Sequence, residues 1–280
     1  MEEFFTMHDF NEAVTTIRRY TDLKPRVGLI LGSGLNALAE SVEDATSIPF
    51  ADIPHFPVST VEGHSGRLIL GVLEGVPLVV MQGRGHYYEG YSMKEVTFPI
   101  RVMQLLGVKT LIVSNASGGI NPLFDAGDIM VITDHINLTG GNPLIGPNVD
   151  DWGPRFPDMT QVYDRGLMAM AEAAALENGI CVQKGIYVGL AGPCLETKAE
   201  IRFLKTIGAD AVGLSTIPEV IAAAHAGMAI LGLSVITNMN LPDNPKPCQM
   251  AEIIATAERA APRLQAIISG VIEKLPAPAG

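Results

Sequence analysis

Short apolar runs broken by glycine, proline and polar clusters recur along the whole chain, and most are too short for helices. Val27–Leu31, Arg67–Leu73, Val76–Gln82, Thr110–Ser114, Ile129–Thr133, Gly185–Leu190, Asp210–Leu214 and Ala229–Thr237 read as strands, because brief apolar or β-branched runs bounded by turn residues suit extended, buried backbone. Glu74-Gly75 joins the second and third of these as a hairpin. Helical periodicity fills the gaps. Asp9 is placed to cap a helix running to about Leu23, with Phe10, Ala13, Val14, Ile17 and Tyr20 along one side. Ser92-x-x-Glu95 and Thr197-x-x-Glu200 are capping boxes whose helices stop at Gly107 and Gly208. Pro99 predicts a kink or a later start for the first of them. Gln161–Asn178, Pro218–Ala226 and Met250–Lys274 complete the helices, while 48–66 and 135–160 read as irregular. Strand and helix alternate, which predicts an α/β fold, a central mixed β-sheet flanked by helices. No composition break or repeat divides the chain, so 1–280 is expected to form a single domain, with 1–24 as an N-terminal helix region and 276–280 as a frayed tail.

Composition restricts the partners. Hydrophobic residues make up 48% of the chain, ample for a large core, and the net charge is -11. That charge argues against a nucleic acid polymer or an anionic membrane as partner. An anionic ligand would need a local basic site. Cys181, Cys194 and Cys248 are too few and too scattered for a disulfide framework, and none stands in a CxxC zinc pattern. The N-terminus lacks the apolar core of a signal peptide and no apolar run is long enough to cross a bilayer, so the expected location is cytoplasmic.

The candidate chemistry collects where strands end. Gln82 is followed by Gly83-Arg84-Gly85-His86. Alternation aims the guanidinium and the imidazole at one spot, and the glycines would let a ligand approach the backbone. A small-anion pocket and a solvated turn both fit these residues. Other strands end in Gly32-Ser33-Gly34, Asn115-Ala116, Glu196 after Gly192-Pro193, Ser215, and Thr237-Asn238. In open α/β sheets ligands bind beyond strand ends, so these segments are candidates for one site. Each alone is an ordinary turn or cap, and Gly32-Ser33-Gly34 is neither a dinucleotide fingerprint nor a P-loop.

Taken together, ILGSGL (30–35), VEGHSG (61–66), QGRGHYYEGY (82–91), VSNASGGINP (113–122), DHINLTGGNPLIG (134–146), RFPDM (155–159), AGPCLET (191–197), GADAVGLSTIPEV (208–220) and ITN (236–238) resemble the trimeric purine nucleoside phosphorylases, in that family's order and spacing. The resemblance implies a phosphorylase-like fold and phosphorolysis of a purine nucleoside to free base and ribose 1-phosphate. It assigns phosphate binding to Ser33, His64, Arg84, His86, Ala116 and Ser215, and ribose contacts to Tyr88, Leu214 and Met250. Purine contacts fall to Glu196 and Asn238, with Ala116, Leu195, Val212, Gly213 and Tyr187 lining that side. His86, Glu196 and Asn238 take the catalytic roles, and Phe156 reaches a neighbouring subunit of a homotrimer. Orthophosphate is a co-substrate; no cofactor or metal is implied.

The chemistry agrees with these roles. Arg presents a permanently charged fork to phosphate. The leaving purine gains negative charge, which a donor such as the Asn238 amide stabilises selectively in the transition state. Phosphate is already a nucleophile, so no glycosidase-type carboxylate pair is required. Asn238 stands where the related methylthioadenosine phosphorylases carry Asp, so 6-oxopurine nucleosides such as inosine, guanosine and their deoxy forms are the expected substrates. Two residues depart from the family. Met250 occupies the place of a histidine that binds the ribose 5′-hydroxyl, and Leu195 replaces a phenylalanine. Both changes keep open a phosphorylase of the same fold preferring xanthosine or a 5′-modified or 6-amino nucleoside such as methylthioadenosine. A dinucleotide-dependent oxidoreductase lacks its third glycine, and a silent nucleoside-binding protein would have no need of the full Arg84, His86, Glu196 and Asn238 set.

Overall fold

The computed structural model describes residues 5–32, 37–60, 65–243 and 249–276. Among them run strands β1 (Val27–Leu31), β2 (Glu43–Pro49), β3 (Arg67–Leu73), β4 (Val76–Gln82), β5 (Thr110–Gly119), β6 (Ile129–Leu138), β7 (Val182–Leu190), β8 (Ala211–Gly213) and β9 (Ala229–Met239). The helices are α1 (Met7–Arg18), α2 (Ala37–Glu40), α3 (Met93–Leu106), α4 (Arg165–Glu177), α5 (Lys198–Thr206), α6 (Ile217–His225) and α7 (Met250–Glu273). All strands belong to one mixed sheet, in the order β2-β3-β4-β1-β5-β8-β7-β6-β9, with β5 also paired to β9. That extra pairing closes the second half of the sheet on itself, while β2, β3 and β4 extend from it as an open wing.

β1 and the first halves of β5, β6 and β9 are apolar on both faces because both faces are covered. Ile30 faces the cluster that holds Phe10, Phe98 and Ile217, from α1, α3 and α6. Its neighbours Leu29 and Leu31 face the opposite cluster, which holds Ala171 of α4 and Leu264, Ile268 and Ile272 of α7. A third group, Ile120, Val188, Leu204, Ala209 and Val212, sits under α5. Alternation along each strand thus sends successive side chains to opposite helix layers.

Several boundaries differ from the sequence expectation. Asp9 is not the first cap. Thr6 is, and Asp9 reaches back to its backbone N–H at 2.6 Å from the third helical position. The helix ends at Arg18, short of Leu23. Strand β2 occupies 43–49, and the irregular stretch begins only after Ile48 and Pro49. It is an edge strand with Ile48 alone buried, so it carries no apolar alternation. α3 begins at its Ser92 cap and runs past Pro99 to Leu106. β5 and β6 run well past Ser114 and Thr133, because β9 and β7 offer partners for their polar ends. Asn115, Ala116, Ser117, Gly118 and Gly119 are therefore strand residues rather than a turn after a strand.

Phe98 is fully buried and stacks on Phe10 at 4.5 Å between centroids, with Phe5 and Phe56 edge-on at 4.7 and 5.9 Å. Truncating it leaves a cavity that these rings cannot fill by small shifts. Phe98→Ala is expected to lower unfolding free energy by about 3–5 kcal/mol in urea denaturation; a loss below about 1 kcal/mol would contradict this packing.

Candidate active site

The site grows from the paired polar ends of β5 and β9. Asn115 and Ser117 lie beside Ser234 and Ile236 in parallel register. Ser234 Oγ donates to Asn115 Oδ1 at 2.5 Å and lies 2.6 Å from Ser117 Oγ. Ser234 has one hydrogen, already given to Asn115, so Ser117 is the donor in the second bond. Thr237 Oγ1 lies 3.1 Å from the Ser117 carbonyl. These polar side chains are buried and mutually satisfied.

From there the network reaches Arg84. Asn115 Nδ2 donates to Thr216 Oγ1 at 2.8 Å, and Arg84 Nη1 donates to the same oxygen at 3.3 Å. Both lone pairs of Thr216 are thereby used, so its hydrogen goes to Ser215 Oγ, 3.2 Å away. The Ser215 hydroxyl is left to donate into the cavity that it lines. Thr216 is held at φ 78, and Ile217 N–H bonds back to the Ser215 carbonyl at 2.9 Å. A three-residue turn of this hand is strained for a β-branched residue. It sharpens the passage from β8 into α6 so that Ser215 stays at the cavity wall.

Arg84 also donates to the Ser114 carbonyl and pairs with Glu219 Oε1 at 3.1 Å, both side chains being almost fully buried. His86 Nδ1 sits 2.7 Å from Glu89 Oε1, which also accepts from the His86 backbone N–H. A carboxylate only accepts, so Nδ1 carries the hydrogen. Burial opposes ionisation of Glu89, yet the bonds from Thr60 and the His86 contact outweigh it and hold its pKa below the ordinary value. Tyr88 stacks on the His86 ring at 4.7 Å, and burial raises its hydroxyl to about 12. The glycines of this loop serve packing and turning. A Cβ at Gly85 would meet Pro57 Cβ at 2.7 Å, and Gly83 has φ 99. The space beside Gly85 is thus filled by protein and is not an approach for a ligand.

A second polar group lies on the same cavity. Glu196, in the loop between β7 and α5, accepts from Asn240 Nδ2 at 3.0 Å, and Asn240 Oδ1 accepts from Asn238 Nδ2 at 2.7 Å. Burial raises the Glu196 pKa, and the nearby Glu200 raises it further. Leu195, Val212, Gly213 and Leu214 add apolar wall, and Met250, Ile253 and Ile254 line it from α7.

The cavity encloses about 320 Å³ and brings together Arg84, His86, Tyr88, Ala116, Leu195, Glu196, Val212, Gly213, Leu214, Ser215, Asn238 and Met250. Tyr187 is not on its wall. It is fully buried behind β8, where a Cβ on Gly213 would lie 2.2 Å from its hydroxyl, and that hydroxyl donates to the Ser215 carbonyl. It supports the wall from behind. Phe156 lies at the surface, 86% exposed, with the Arg155 guanidinium over its ring at 5.7 Å. Ser33 and His64 lie outside the described residues, as does Cys248. Asn240, Gly118, Ile253 and Ile254 on the cavity, and Thr216 and Glu219 behind it, were not foreseen from sequence. Asn240 had a signal, since it follows Asn238 by two and alternation puts both on one face. Among the described residues no helix is long and apolar enough to cross a membrane.

Comparison with known proteins points one way. The family model for the phosphorylase superfamily matches residues 26–273. Purine nucleoside phosphorylase 1 of Bacillus subtilis is 52% identical over 260 residues, covering 93% of this chain and 96% of that protein. The purine nucleoside phosphorylase of Schistosoma mansoni crystallised with adenosine superposes with a TM-score of 0.93 at 44% identity, covering 98% of this chain and 99% of that one. Its structure with inosine gives 0.93 at 43%, covering 98% of each.

The Glu196 environment has a direct consequence for its titration. Carbon-13 NMR of the side-chain carboxyl is expected to place its midpoint above 4.5, the ordinary glutamate value. A midpoint at or below 4.5 would show that burial does not govern this carboxylate.

Proposed function

The chain belongs to the purine nucleoside phosphorylases of the phosphorylase superfamily, and from that premise we propose that it splits 6-oxopurine nucleosides, inosine, guanosine and their deoxy forms, into free base and (deoxy)ribose 1-phosphate. One observation carries the reading: Arg84, His86 and Ser215 share a cavity with Glu196 and Asn238. The first three supply donors to orthophosphate, the co-substrate; no separate cofactor takes part. A phosphate oxygen bonds to C1′ as the C1′–N9 bond breaks, and that bond's electron pair leaves with the purine. The second hydrogen of Asn238 Nδ2 meets the charge growing at N7. Glu196 accepts from N1–H and, in guanosine, from the 2-amino group. Tyr88 and Leu214 flank the sugar between the two ends.

The exposed Phe156 fits a homotrimer in which it reaches a neighbour's cavity; a large ring left in water supports that role. The whole chain acts as one nucleoside phosphorylase domain in cytoplasmic purine salvage. A second reading has its own support. Met250, Ile253 and Ile254 give α7 an apolar edge on the cavity, which suits a 5′-modified sugar such as that of methylthioadenosine.

Chromatography of bases released from inosine, guanosine, xanthosine, adenosine and methylthioadenosine, with and without phosphate, separates these readings. Hypoxanthine and guanine are expected to appear only with phosphate, and faster than adenine. Asn238→Asp is expected to lower the inosine-to-adenosine ratio of kcat/KM by about tenfold or more, roughly 1.4 kcal/mol. Preferential release from methylthioadenosine would favour the second reading, and no phosphate-dependent release from any substrate would overturn both.

A further inference from the structure

Asn240 has no role in the reading above, yet it is the link between the two residues that meet the base. Its backbone N–H donates to the Gly119 carbonyl at 2.7 Å, which extends the β5–β9 pairing by one residue and fixes where its side chain starts. That side chain is pressed against Gly118. A Cβ there would lie 2.5 Å from Asn240 Nδ2 and 3.0 Å from its Cγ, so only glycine leaves the room it fills. On one side Asn240 donates to Glu196 Oε2 at 3.0 Å, and on the other it accepts from Asn238 Nδ2 at 2.7 Å.

The direction of this chain of bonds is not arbitrary. An ionised carboxylate has no hydrogen to give, so Asn240 must turn its amide nitrogen to Glu196. Its oxygen then faces Asn238, which must answer with nitrogen. Thr237 Oγ1 lies 3.2 Å from Asn238 Oδ1, but its one hydrogen is shared with the Ser117 carbonyl at 3.1 Å, so the lock on the amide comes from Asn240. The charge on Glu196 thus decides which way the Asn238 amide points. One hydrogen of Asn238 Nδ2 goes to Asn240 and the second remains for the base.

We propose that Asn240 is a positioning residue for base selection, an amide relay through which Glu196 locks Asn238 with its donor toward the purine. The proposal rests on the purine nucleoside reading of the cavity and deepens it. A locked donor suits N7 and the 6-oxo group, both acceptors. A 6-amino group would face that donor with hydrogens of its own. Were Asn238 free to turn over, its oxygen would accept from a 6-amino group, and the preference for 6-oxopurines would fall. Selectivity at this position therefore needs both the asparagine and the relay that fixes its polarity, an arrangement in which rejecting the wrong base depends on an unmatched polar group.

Two variants separate this role from packing. Asn240→Val keeps the volume and removes both bonds. Asn240→Asp can still accept from Asn238 but cannot donate to Glu196. Valine is expected to lower the inosine-to-adenosine ratio of kcat/KM by about tenfold. Aspartate is expected to reduce kcat/KM for both nucleosides while keeping that ratio within about threefold of the parent. KM for phosphate and the thermal midpoint of the valine variant are expected to stay near the parent's. The ratio of hypoxanthine to adenine affinity, read by calorimetry, follows the same pattern and does not depend on turnover. A valine variant with an unchanged ratio, or an aspartate variant that loses the ratio as fully as valine, would overturn the relay. A parent protein that releases no base would overturn the phosphorylase reading instead, with the calorimetric ratios still deciding the relay, and a parent that binds neither base would overturn both.

Discussion

The buried polar seam between β5 and β9 is the constraint on which the site depends. Two strands that begin as apolar core end as Ser114, Asn115, Ser117, Ser234 and Thr237, all buried. Each buried polar group left without a partner costs about 1–3 kcal/mol, so the seam is tolerated only because its hydrogen bonds close on one another. Closing them sets the direction of every donor. Ser117 gives to Ser234, Ser234 to Asn115, and Asn115 to Thr216, where Arg84 also arrives. At the far end of the same two strands, Asn238 and Asn240 carry the polarity on to Glu196. One strand pairing thus organises both ends of the cavity, and the closure of the sheet through β9 is what makes that pairing possible.

The electrostatics are more restrained than a cation-lined anion pocket would suggest. Arg84 is matched by Glu219 and His86 by Glu89. A buried ion pair adds little net stability, but it holds a guanidinium in one place where a lone buried charge would be costly. In a chain of net charge -11, the proposed phosphate end offers fixed donors more than excess positive charge. Glu196 is the contrasting case: burial disfavours its charge and a bond from its own backbone N–H offsets part of that, while the Asn240 amide donates to Oε2 at 3.0 Å.

Much of this was legible in the residues. The hairpin of β3 and β4, the Ser92 and Thr197 capping boxes and the apolar halves of β1, β5, β6 and β9 follow from local pattern, which short-range physics controls. β2 was hidden because an edge strand with one buried residue has no alternation to read. The polar tails of β5 and β6 looked like loops because their pairing is decided by strands more than fifty residues away. At the site, Arg84, His86, Glu196 and Asn238 could be gathered from strand ends and family likeness. Tyr187 sits on β7, paired with Ala211 of neighbouring β8, and its ring lies behind Gly213 rather than on the cavity wall, a side-chain depth that sequence does not show. Glu219 and Thr216 gave no signal, because their importance comes from contacts made across 135 and 132 positions.

The central claim is that one cavity holds phosphate at Arg84, His86 and Ser215 and a purine at Glu196 and Asn238. A crystal structure of the protein grown with inorganic phosphate and hypoxanthine tests it most directly. The account expects phosphate within hydrogen-bonding distance of Arg84 and Ser215, and hypoxanthine with N7 toward Asn238 Nδ2 and N1 toward Glu196. Hypoxanthine bound away from Glu196, or phosphate bound away from Arg84 with the cavity left empty, would contradict it.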